Sequence, residues 1–358
     1  MKLAVLHNFM DNIGGAEVVG LIMAREFDAD VYSTVFNEEK IKKMGFSPRC
    51  YPIGWIPVNA PFRQQLALAR FRYLNLNKKY DYYIIDGDWA VGGAVKNAPS
   101  LWWAHSPIRE IWDLYEYTRQ NSVSPHSHFI FDAWVRFNRM LTSDYVKKVT
   151  KLTCSSKNAR NRIWKYLHRE ARVIYPPVET DKYYNNAPGN YWLSVNRLVS
   201  HKRVMMQLEA FRKLPHEKLI VVGSYEQSRH FLQYAQSIFA TKPENVEIKS
   251  WVDASELREL YANCRGLITT AIDEDFGLTP VEAMASGKPV IAAAEGGYLE
   301  TIIDGKTGFL IDDINAIKLR EAIISLKRPE DFRNDCIAQA QNFSTAKFVK
   351  TMTETLNE

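Results

Sequence analysis

Two successive series of alternating strand-like and helix-like segments constrain the fold of this 358-residue chain more than any other feature. In the first series, the apolar pattern predicts strands at 2–7, 82–86 and 101–104 and helices at 16–27, 62–76 and 129–149. In the second series, it predicts strands at 191–195, 219–222, 266–270 and 289–293 and helices at 204–214, 255–263, 280–285 and 314–326. Such alternation is typical of parallel sheets with right-handed crossovers, so the sequence predicts an α/β fold.

The dipeptide Pro176-Pro177 separates the two series. A pair of prolines cannot continue a helix or a central strand, because proline lacks a backbone N–H and has a fixed φ angle. We therefore predict two Rossmann-like, doubly wound domains that face a cleft, one over residues 1–175 and the other over residues 176–342. Ligands of such sheets bind at the carboxyl ends of the strands, which is where functional side chains are expected.

The two halves differ in charge. The whole chain carries 46 Lys and Arg against 41 Asp and Glu, whereas residues 1–175 carry 25 against 16 and are therefore strongly basic. An anionic membrane surface, a lipid phosphate and nucleic acid are candidate partners for a basic half, and ordinary solvated charge is the alternative. One segment, residues 62–80, places five cations among apolar residues and favours peripheral contact with the inner face of a membrane: Arg63, Arg70, Arg72, Lys78 and Lys79.

Cysteine usage and hydropathy indicate the cytoplasm. The four cysteines lie far apart and form no Cys-x-x-Cys pair, which argues against a disulfide framework or a cysteine-based zinc site. No apolar run reaches the roughly 18 residues needed to span a bilayer. The N-terminal segment lacks the basic start and the small-residue cleavage site of a signal peptide. The sequence therefore predicts a cytoplasmic protein.

The segment from residue 273 to residue 283 carries the most chemistry. It contains two glutamates, Glu274 and Glu282, with a glycine and a proline between them, and it joins a predicted strand to the next predicted helix. Thr279 is predicted as the N-cap and Pro280 as the first helical residue, so the helix N-terminus suits a phosphate group. Thr279 and Glu282 also have the spacing of a capping box, in which Glu282 only bonds a backbone N–H.

Two cations follow the first predicted strand of the second half. Arg197 and Lys202 lie in the sequence Arg-Leu-Val-Ser-His-Lys, between that strand and the next helix. Fixed cations near a helix N-terminus suit a diphosphate, although a pair of cations in a loop is also compatible with simple solvation.

Together these segments resemble glycosyltransferase family four, the retaining GT-B class that includes many enzymes using GDP-mannose. The resemblance covers most of the chain in the expected order. It rests on the Glu-x7-Glu segment with its Phe-Gly-Leu-Thr-Pro centre, on residues 283–290, 296–300 and 306–309, and on two N-terminal stretches, Gly14-Gly15-Ala16-Glu17 and residues 105–109.

The resemblance implies roles for residues of the second half. Arg197 and Lys202 would hold the donor diphosphate and stabilise the leaving group, and both count with Glu274 among the catalytic residues. Glu274 would lie near the donor sugar, and Glu282 would bind the ribose hydroxyls. The remaining donor contacts would come from the intervening segment, Phe276, Gly277, Leu278 and Thr279.

The resemblance also implies roles in the first half. Gly14 and Gly15 would face the diphosphate, and His105 would orient the reacting sugar or assist its transfer. Glu17 and Arg109 are assigned to the acceptor side. The last residues, 343–358, would cross back and pack on the N-terminal, acceptor-binding domain.

Two departures from the common pattern favour the mannosyltransferase-like branch. Many members have Asn-Gly-Val-Asp where this chain has Pro-Pro-Val-Glu, and Lys-Gly where it has Lys202-Arg203. The resemblance therefore implies a retaining hexosyltransferase that moves mannose from GDP-mannose onto a glycan or lipid-linked acceptor. It implies no cofactor, no divalent metal and no nucleic-acid partner.

Several alternatives remain open from the sequence. The donor could be a UDP- or ADP-sugar, or the chain could be a related phosphorylase or epimerase. A metal-dependent glycosyltransferase would use an Asp-x-Asp motif, which Asp86-Gly87-Asp88 matches. A non-enzymatic module that binds sugar nucleotides or nucleic acid could stack bases on Trp102, Trp103 and Trp112.

Overall fold

A computed structural model describes residues 1–224 and 229–358. The chain divides into two compact units: the first contains Met1–Lys42, Phe46–Tyr175 and Met352–Glu358, and the second contains Lys43–Gly45 and Pro176–Thr351. The change of unit between residues 175 and 176 lies at the Pro176-Pro177 pair.

The predicted crossing segment, residues 343–358, is longer than the segment that the structure assigns to the first unit. Only the part from Met352 onward belongs there. The preceding residues stay with the second unit because the backbone N–H of Val178 donates to the Phe343 carbonyl and the Thr345 N–H donates to the Val178 carbonyl, both at 3.0 Å.

The first unit is built on a parallel sheet whose strand order is β3-β2-β1-β4-β5-β6-β7. Its strands are β1 (Leu3–Leu6), β2 (Asp30–Ser33), β3 (Cys50–Pro52), β4 (Tyr82–Ile85), β5 (Ser100–Ala104), β6 (Lys151–Cys154) and β7 (Arg172–Val173). Its helices are α1 (Gly15–Glu26), α2 (Glu38–Lys43), α3 (Phe62–Tyr73), α4 (Tyr115–Ser122), α5 (His128–Val146) and α6 (Lys157–Leu167).

The central strands of this sheet are covered on both faces. Every residue of β1, β4 and β5 is buried, as expected for parallel strands that lie between two layers of helices. The core includes Phe71 from α3 and Val135 from α5, packed with Trp102 of β5. The predicted helix 62–76 ends three residues early because Leu74 is extended, with φ −60° and ψ 121°.

The second unit repeats this architecture with the order β10-β9-β8-β11-β12-β13. Its strands are β8 (Tyr191–Arg197), β9 (Lys218–Ser224), β10 (Val246–Lys249), β11 (Leu267–Thr269), β12 (Val290–Ala293) and β13 (Gly308–Ile311). Its helices are α7 (Val204–Arg212), α8 (Arg229–Thr241), α9 (Ala254–Asn263), α10 (Leu278–Ala285), α11 (Tyr298–Thr301), α12 (Ala316–Ser325) and α13 (Arg333–Ala340), and α14 (Thr345–Asn357) begins in it.

The predicted fold class is confirmed: both units are parallel sheets flanked by helices. In each unit the strand order reverses next to its first strand, between β1 and β4 and between β8 and β11. Such reversals leave a crevice at the carboxyl ends of the strands, where ligands bind. Among the residues that the structure describes, no helix is long and apolar enough to cross a membrane.

Candidate functional site

In the second unit, the predicted donor residues collect at the strand ends where the order reverses. Arg197 is the last residue of β8, and Glu274 lies in the loop after β11, the neighbouring strand. Lys202 ends a 3₁₀ turn, Ser200–Lys202, between β8 and α7. The sequence separation of these residues is large, but the sheet topology places them at one edge.

Lys202 and Glu274 are in direct contact. The Lys202 ammonium donates to Glu274 Oε2 at 2.5 Å, and the two side chains are 18% and 15% exposed. Tyr298 adds a third group, because its hydroxyl donates to the same carboxylate oxygen at 3.3 Å. Two residues that sequence reasoning assigned to one site therefore form an ion pair at the mouth of the crevice.

Arg203 connects the loops that carry Lys202 and Glu274 through hydrogen bonds. Its guanidinium donates to the carbonyls of Thr270 and Ala271 at 2.5 and 2.9 Å and to Glu295 at 2.8 Å. It therefore connects the chain after β8 with the loops after β11 and β12. Arg203 adopts a left-handed φ of 55°, a conformation that glycine reaches without steric cost. Sequence reasoning noted Arg203 only as a departure and missed this positioning role.

The glycine pair before α11 allows a close approach of backbone. The Gly297 N–H donates to the Glu274 carbonyl at 2.8 Å. A Cβ atom on Gly297 would lie 2.4 Å from the Phe276 Cα. The loop that carries Glu274 therefore rests on this pair, and a larger side chain there would push the carboxylate away from Lys202.

The start of α10 corrects a sequence prediction. The helix begins at Leu278 with Gly277 as its N-cap, in a left-handed conformation with φ 95°, so Thr279 is not the N-cap and Pro280 is the third helical residue. The Phe276 ring is buried and packs against Phe343, with centroids 5.2 Å apart. The N-terminus of α10 thus lies beside Glu274 and has the positive end of the helix dipole.

Glu282 does not close a capping box with Thr279. Its Oε2 accepts a hydrogen bond from the Tyr261 hydroxyl at 2.7 Å, and Tyr183 also bonds this carboxylate. Burial raises the pKa of Glu282, while the two tyrosine hydroxyls act in the opposite direction. The capping interpretation is therefore wrong, and the proposed contact with a ribose stays a prediction.

In the first unit, three predicted strand ends bring a buried charged network together. His7 follows β1, Asp86 follows β4 and His105 follows β5. His7 Nδ1 lies 2.7 Å from Asp86 Oδ2, and His105 Nε2 lies 3.2 Å from Asp86 Oδ1. His105 is thereby oriented by a carboxylate, and its ring also packs edge-on against Trp103 at 4.8 Å.

The charges of this network stabilise one another. Burial alone would lower the pKa of His7, but the hydrogen bond to Asp86 and the nearby Glu17 carboxylate raise it to about 10. Burial alone would raise the pKa of Asp86, but the hydrogen bonds from His105 and His7 lower it. His7 is therefore an imidazolium at neutral pH and Asp86 a carboxylate.

Asp86 and Asp88 do not converge as a metal-binding Asp-x-Asp pair would. Both oxygens of Asp86 face histidines, while Asp88 accepts from Asn8 Nδ2 at 2.5 Å and from the Trp89 N–H at 2.8 Å. Within residues 1–224 and 229–358, no group of three or more His, Cys, Asp and Glu is arranged to hold a metal ion. Asp86 was considered in the sequence only as part of that motif, and its role as the partner of His105 was missed.

The remaining predicted residues of the first unit lie near the same strand ends. Gly14 precedes α1 and Gly15 is its first residue; the Gly14 N–H donates to Glu17 Oε2 at 2.9 Å. The other oxygen of Glu17 lies 3.8 Å from His7 Nε2. Arg109 forms an ion pair with Asp113 at 2.8 Å. The acceptor-side roles of Glu17 and Arg109 stay predictions.

Comparisons with known proteins agree with this architecture. Residues 179–343 match the family model of the group 1 glycosyl transferases. An uncharacterized glycosyltransferase of Methanocaldococcus jannaschii is 30% identical over 196 residues, 54% of this chain and 54% of that protein. The alpha-1,3/1,6-mannosyltransferase ALG2 of Dictyostelium discoideum is 25% identical over 371 residues, 87% of this chain and 86% of ALG2.

The fold comparison covers both units. The crystal structure of HepE from Anabaena, in complex with UDP and glucose, aligns with a TM-score of 0.78 at 18% identity, over 100% of each chain. The chain therefore has the fold of the GT-B glycosyltransferases. This chain resembles the group 1 glycosyl transferases, whose family model matches residues 179–343, and the resemblance found in the sequence is thereby confirmed. It spans about half the length of the archaeal relative and most of ALG2.

Proposed function

We propose that the protein transfers mannose from GDP-mannose to a glycan or lipid-linked acceptor, with retention of the anomeric configuration and without a divalent metal. The observation that carries this proposal is the contact of Lys202 with Glu274 at the strand ends of the second unit, beside the N-terminus of α10. The similarity to alpha-1,3/1,6-mannosyltransferases over 87% of the chain supports the choice of mannose.

Departure of the nucleoside diphosphate is the step that these residues assist. Negative charge develops on the leaving diphosphate, so fixed positive groups that face it lower the barrier. We expect the diphosphate to bind Arg197, Lys202 and the N-terminus of α10. It then replaces Glu274 as the partner of Lys202, which leaves the Glu274 carboxylate to accept hydrogen bonds from the sugar hydroxyls.

Charge neutralisation by the chain itself supports the proposal of metal independence. Two cations and a helix dipole supply positive charge where a metal-dependent enzyme uses Mg²⁺ or Mn²⁺. Glu282, which accepts a hydrogen bond from Tyr261, is the fifth residue of α10 and is the candidate for the two ribose hydroxyls.

In the first unit, His105 is the candidate for the sugar itself. Because its Nε2 faces Asp86, its Nδ1 is the ring nitrogen left to bond the donor sugar. Asp86 fixes the ring orientation, and the His7 imidazolium balances the charge of Asp86.

A ligand screen tests the donor. Thermal melting with saturating GDP, UDP or ADP and their sugar conjugates should show a rise of several degrees for GDP and GDP-mannose alone, since a ligand that binds only the native state stabilises it by mass action. A preference for UDP, the nucleotide bound to HepE, would replace GDP-mannose with a UDP-sugar. Proton NMR of the product tests retention: GDP-mannose has an α-anomeric carbon, and a β-linked product would contradict the mechanism.

A further inference from the structure

We propose that the outer face of α5 docks the protein on a bilayer that contains anionic lipid. This face consists of an apolar stripe, Phe129, Ile130, Phe137 and Met140, followed by a basic end, Lys147 and Lys148. The inference rests on the proposed lipid-linked acceptor, because a membrane surface is where such an acceptor is found, but its test uses neither donor nor acceptor.

The apolar stripe is unusually open to solvent. Phe129 is 83% exposed, Ile130 69%, Met140 62% and Phe137 48%. Positions 129, 133, 137 and 140 recur at helical spacing, so these side chains lie along one side of the helix, opposite the buried Val135, Thr142 and Tyr145. Large apolar side chains concentrated on one face mark an interaction surface rather than ordinary exposure.

Basic residues continue the same face. Lys147 and Lys148 are exposed just after the last turn of α5, and Arg136 is exposed within the stripe. Asp144 is the only acidic residue exposed along α5. At 1.5 Å per residue, about 27 Å separates Phe129 from Lys147, so the face is long enough to lie flat in the headgroup region of a membrane.

Helix α3 lies beside α5 and also exposes an aromatic side chain. Gln65 of α3 accepts hydrogen bonds from Trp134 Nε1 at 3.1 Å and Asn138 Nδ2 at 3.0 Å, both on α5. Phe62, at the start of α3, is 73% exposed. The prediction that Arg63 of segment 62–80 contacts a membrane is wrong. Arg63 is only 7% exposed, and its guanidinium donates to Asp11 at 2.8 Å.

The charge pattern favours a membrane over a second copy of the chain. In a twofold dimer the same patch meets itself, and this patch offers only Asp144 as an exposed acidic partner for Arg136, Lys147 and Lys148 of the other copy. An anionic bilayer instead offers hydrocarbon for the aromatic stripe and phosphate for the lysines at the same boundary. Exposed phenylalanines followed by lysines are complementary to that boundary.

Vesicle flotation of the full chain tests the apolar stripe. The wild type should float with vesicles of phosphatidylcholine and phosphatidylglycerol and much less with phosphatidylcholine alone. The double variant Phe129→Asp/Ile130→Asp should lose at least ~10-fold in partition coefficient. The matched control is Ile317→Asp/Ile324→Asp, which changes two isoleucines of α12 that are 61% and 55% exposed and should bind as the wild type does.

A second pair of variants tests the basic end. Lys147→Glu/Lys148→Glu should also lower binding at least ~10-fold, because each lysine near an anionic surface contributes to attraction. Lys213→Glu/Lys327→Glu changes the net charge equally with exposed lysines of the second unit and should leave binding unchanged. All four variants change exposed residues, so their melting temperatures should match that of the wild type.

Three results would overturn the proposal. One is a wild type that binds neither kind of vesicle. Another is an equal loss of vesicle binding in the α5 variants and in their controls. That result would mean that net charge or general hydrophobicity, and not the α5 face, determines binding. The third is a dimer in size-exclusion chromatography that Phe129→Asp/Ile130→Asp dissociates, without vesicle binding by the wild type. A normal GDP-induced rise in melting temperature in all variants would show that the donor site is intact whichever result is obtained.

Discussion

Removal of the Lys202 charge separates a catalytic role of the Lys202–Glu274 pair from a structural one. Lys202→Met keeps the apolar stem and removes the ammonium that donates to Glu274 at 2.5 Å. Glu274 then retains the Tyr298 hydroxyl at 3.3 Å. Glu274→Gln removes the other charge, and the double variant removes both.

The expected effects on stability and on rate differ in size and in additivity. The side chains are 18% and 15% exposed, so solvent partly screens the pair and each single variant should lose about 1 kcal/mol of stability. The double variant leaves no unpaired charge, so its loss of stability should be smaller than the sum of the losses in the two single variants. For transfer, a lost charged hydrogen bond to the diphosphate is equivalent to about 2 kcal/mol, or ~30-fold in kcat/KM.

The assay is a double-mutant cycle read twice, by thermal melting and by kcat/KM with GDP-mannose. We expect partial recovery of stability in the double variant and no recovery of kcat/KM. Lys327→Met, which changes an exposed lysine after α12, is the matched control and should behave as the wild type. Wild-type kcat/KM in Lys202→Met, or its restoration in the double variant, would refute the assignment of Lys202 to the donor diphosphate.

Three further predictions concern other groups. Glu282→Gln should keep the melting temperature within a few degrees, because an amide oxygen can also accept from Tyr261. The same variant should lower kcat/KM about tenfold, since the amide offers a ribose only one acceptor oxygen, and an unchanged kcat/KM would mean that Glu282 is purely structural. Folding raises the pKa of His7 from 6.5 to about 10, so protonated His7 stabilises the folded state fully below pH 6.5, and this contribution is lost as the pH rises through about 10. The difference in melting temperature between the wild type and His7→Gln should therefore shrink between those two pH values. Exhaustive chelation should leave transfer activity intact, and strict dependence on added Mg²⁺ or Mn²⁺ would disprove the proposed metal independence.

The fold class could be predicted because several strand–helix units are encoded locally, although six strands were not predicted: β2, β3, β6, β7, β10 and β13. The strands β4 and β5 are short apolar runs bounded by polar residues, and their observed bounds lie within one residue of the predicted ones. The order of strands in each sheet was not predicted, and the structure shows that it is of the doubly wound kind. The arrangement of Arg197 and Glu274 on adjacent strand ends is a consequence of that topology.

The details of the site depend on contacts that no local pattern records. Lys202 and Glu274 are 72 residues apart, and His7 and Asp86 are 79 apart, so neither pairing has a sequence signal. The start of α10 was misplaced because Thr279 and Pro280 form a good local start signal. The left-handed Gly277, which packs against Tyr298, starts the helix two residues before Pro280.

The two strand-end networks share a property that bears on specificity. In each unit a cation at the crevice is already bonded to a carboxylate: Lys202 to Glu274 and His7 to Asp86. A free phosphate that approaches Lys202 must therefore displace an anion that is fixed in place, and it gains little in exchange. A nucleotide sugar displaces the same carboxylate but also gains contacts that a phosphate lacks, with Glu282 through its ribose and with the released Glu274 through its sugar. We therefore expect the resting ion pair to disfavour simple anions more than the donor, so inorganic phosphate should inhibit Lys202-dependent transfer only weakly, and inhibition comparable to that by GDP would contradict this reasoning.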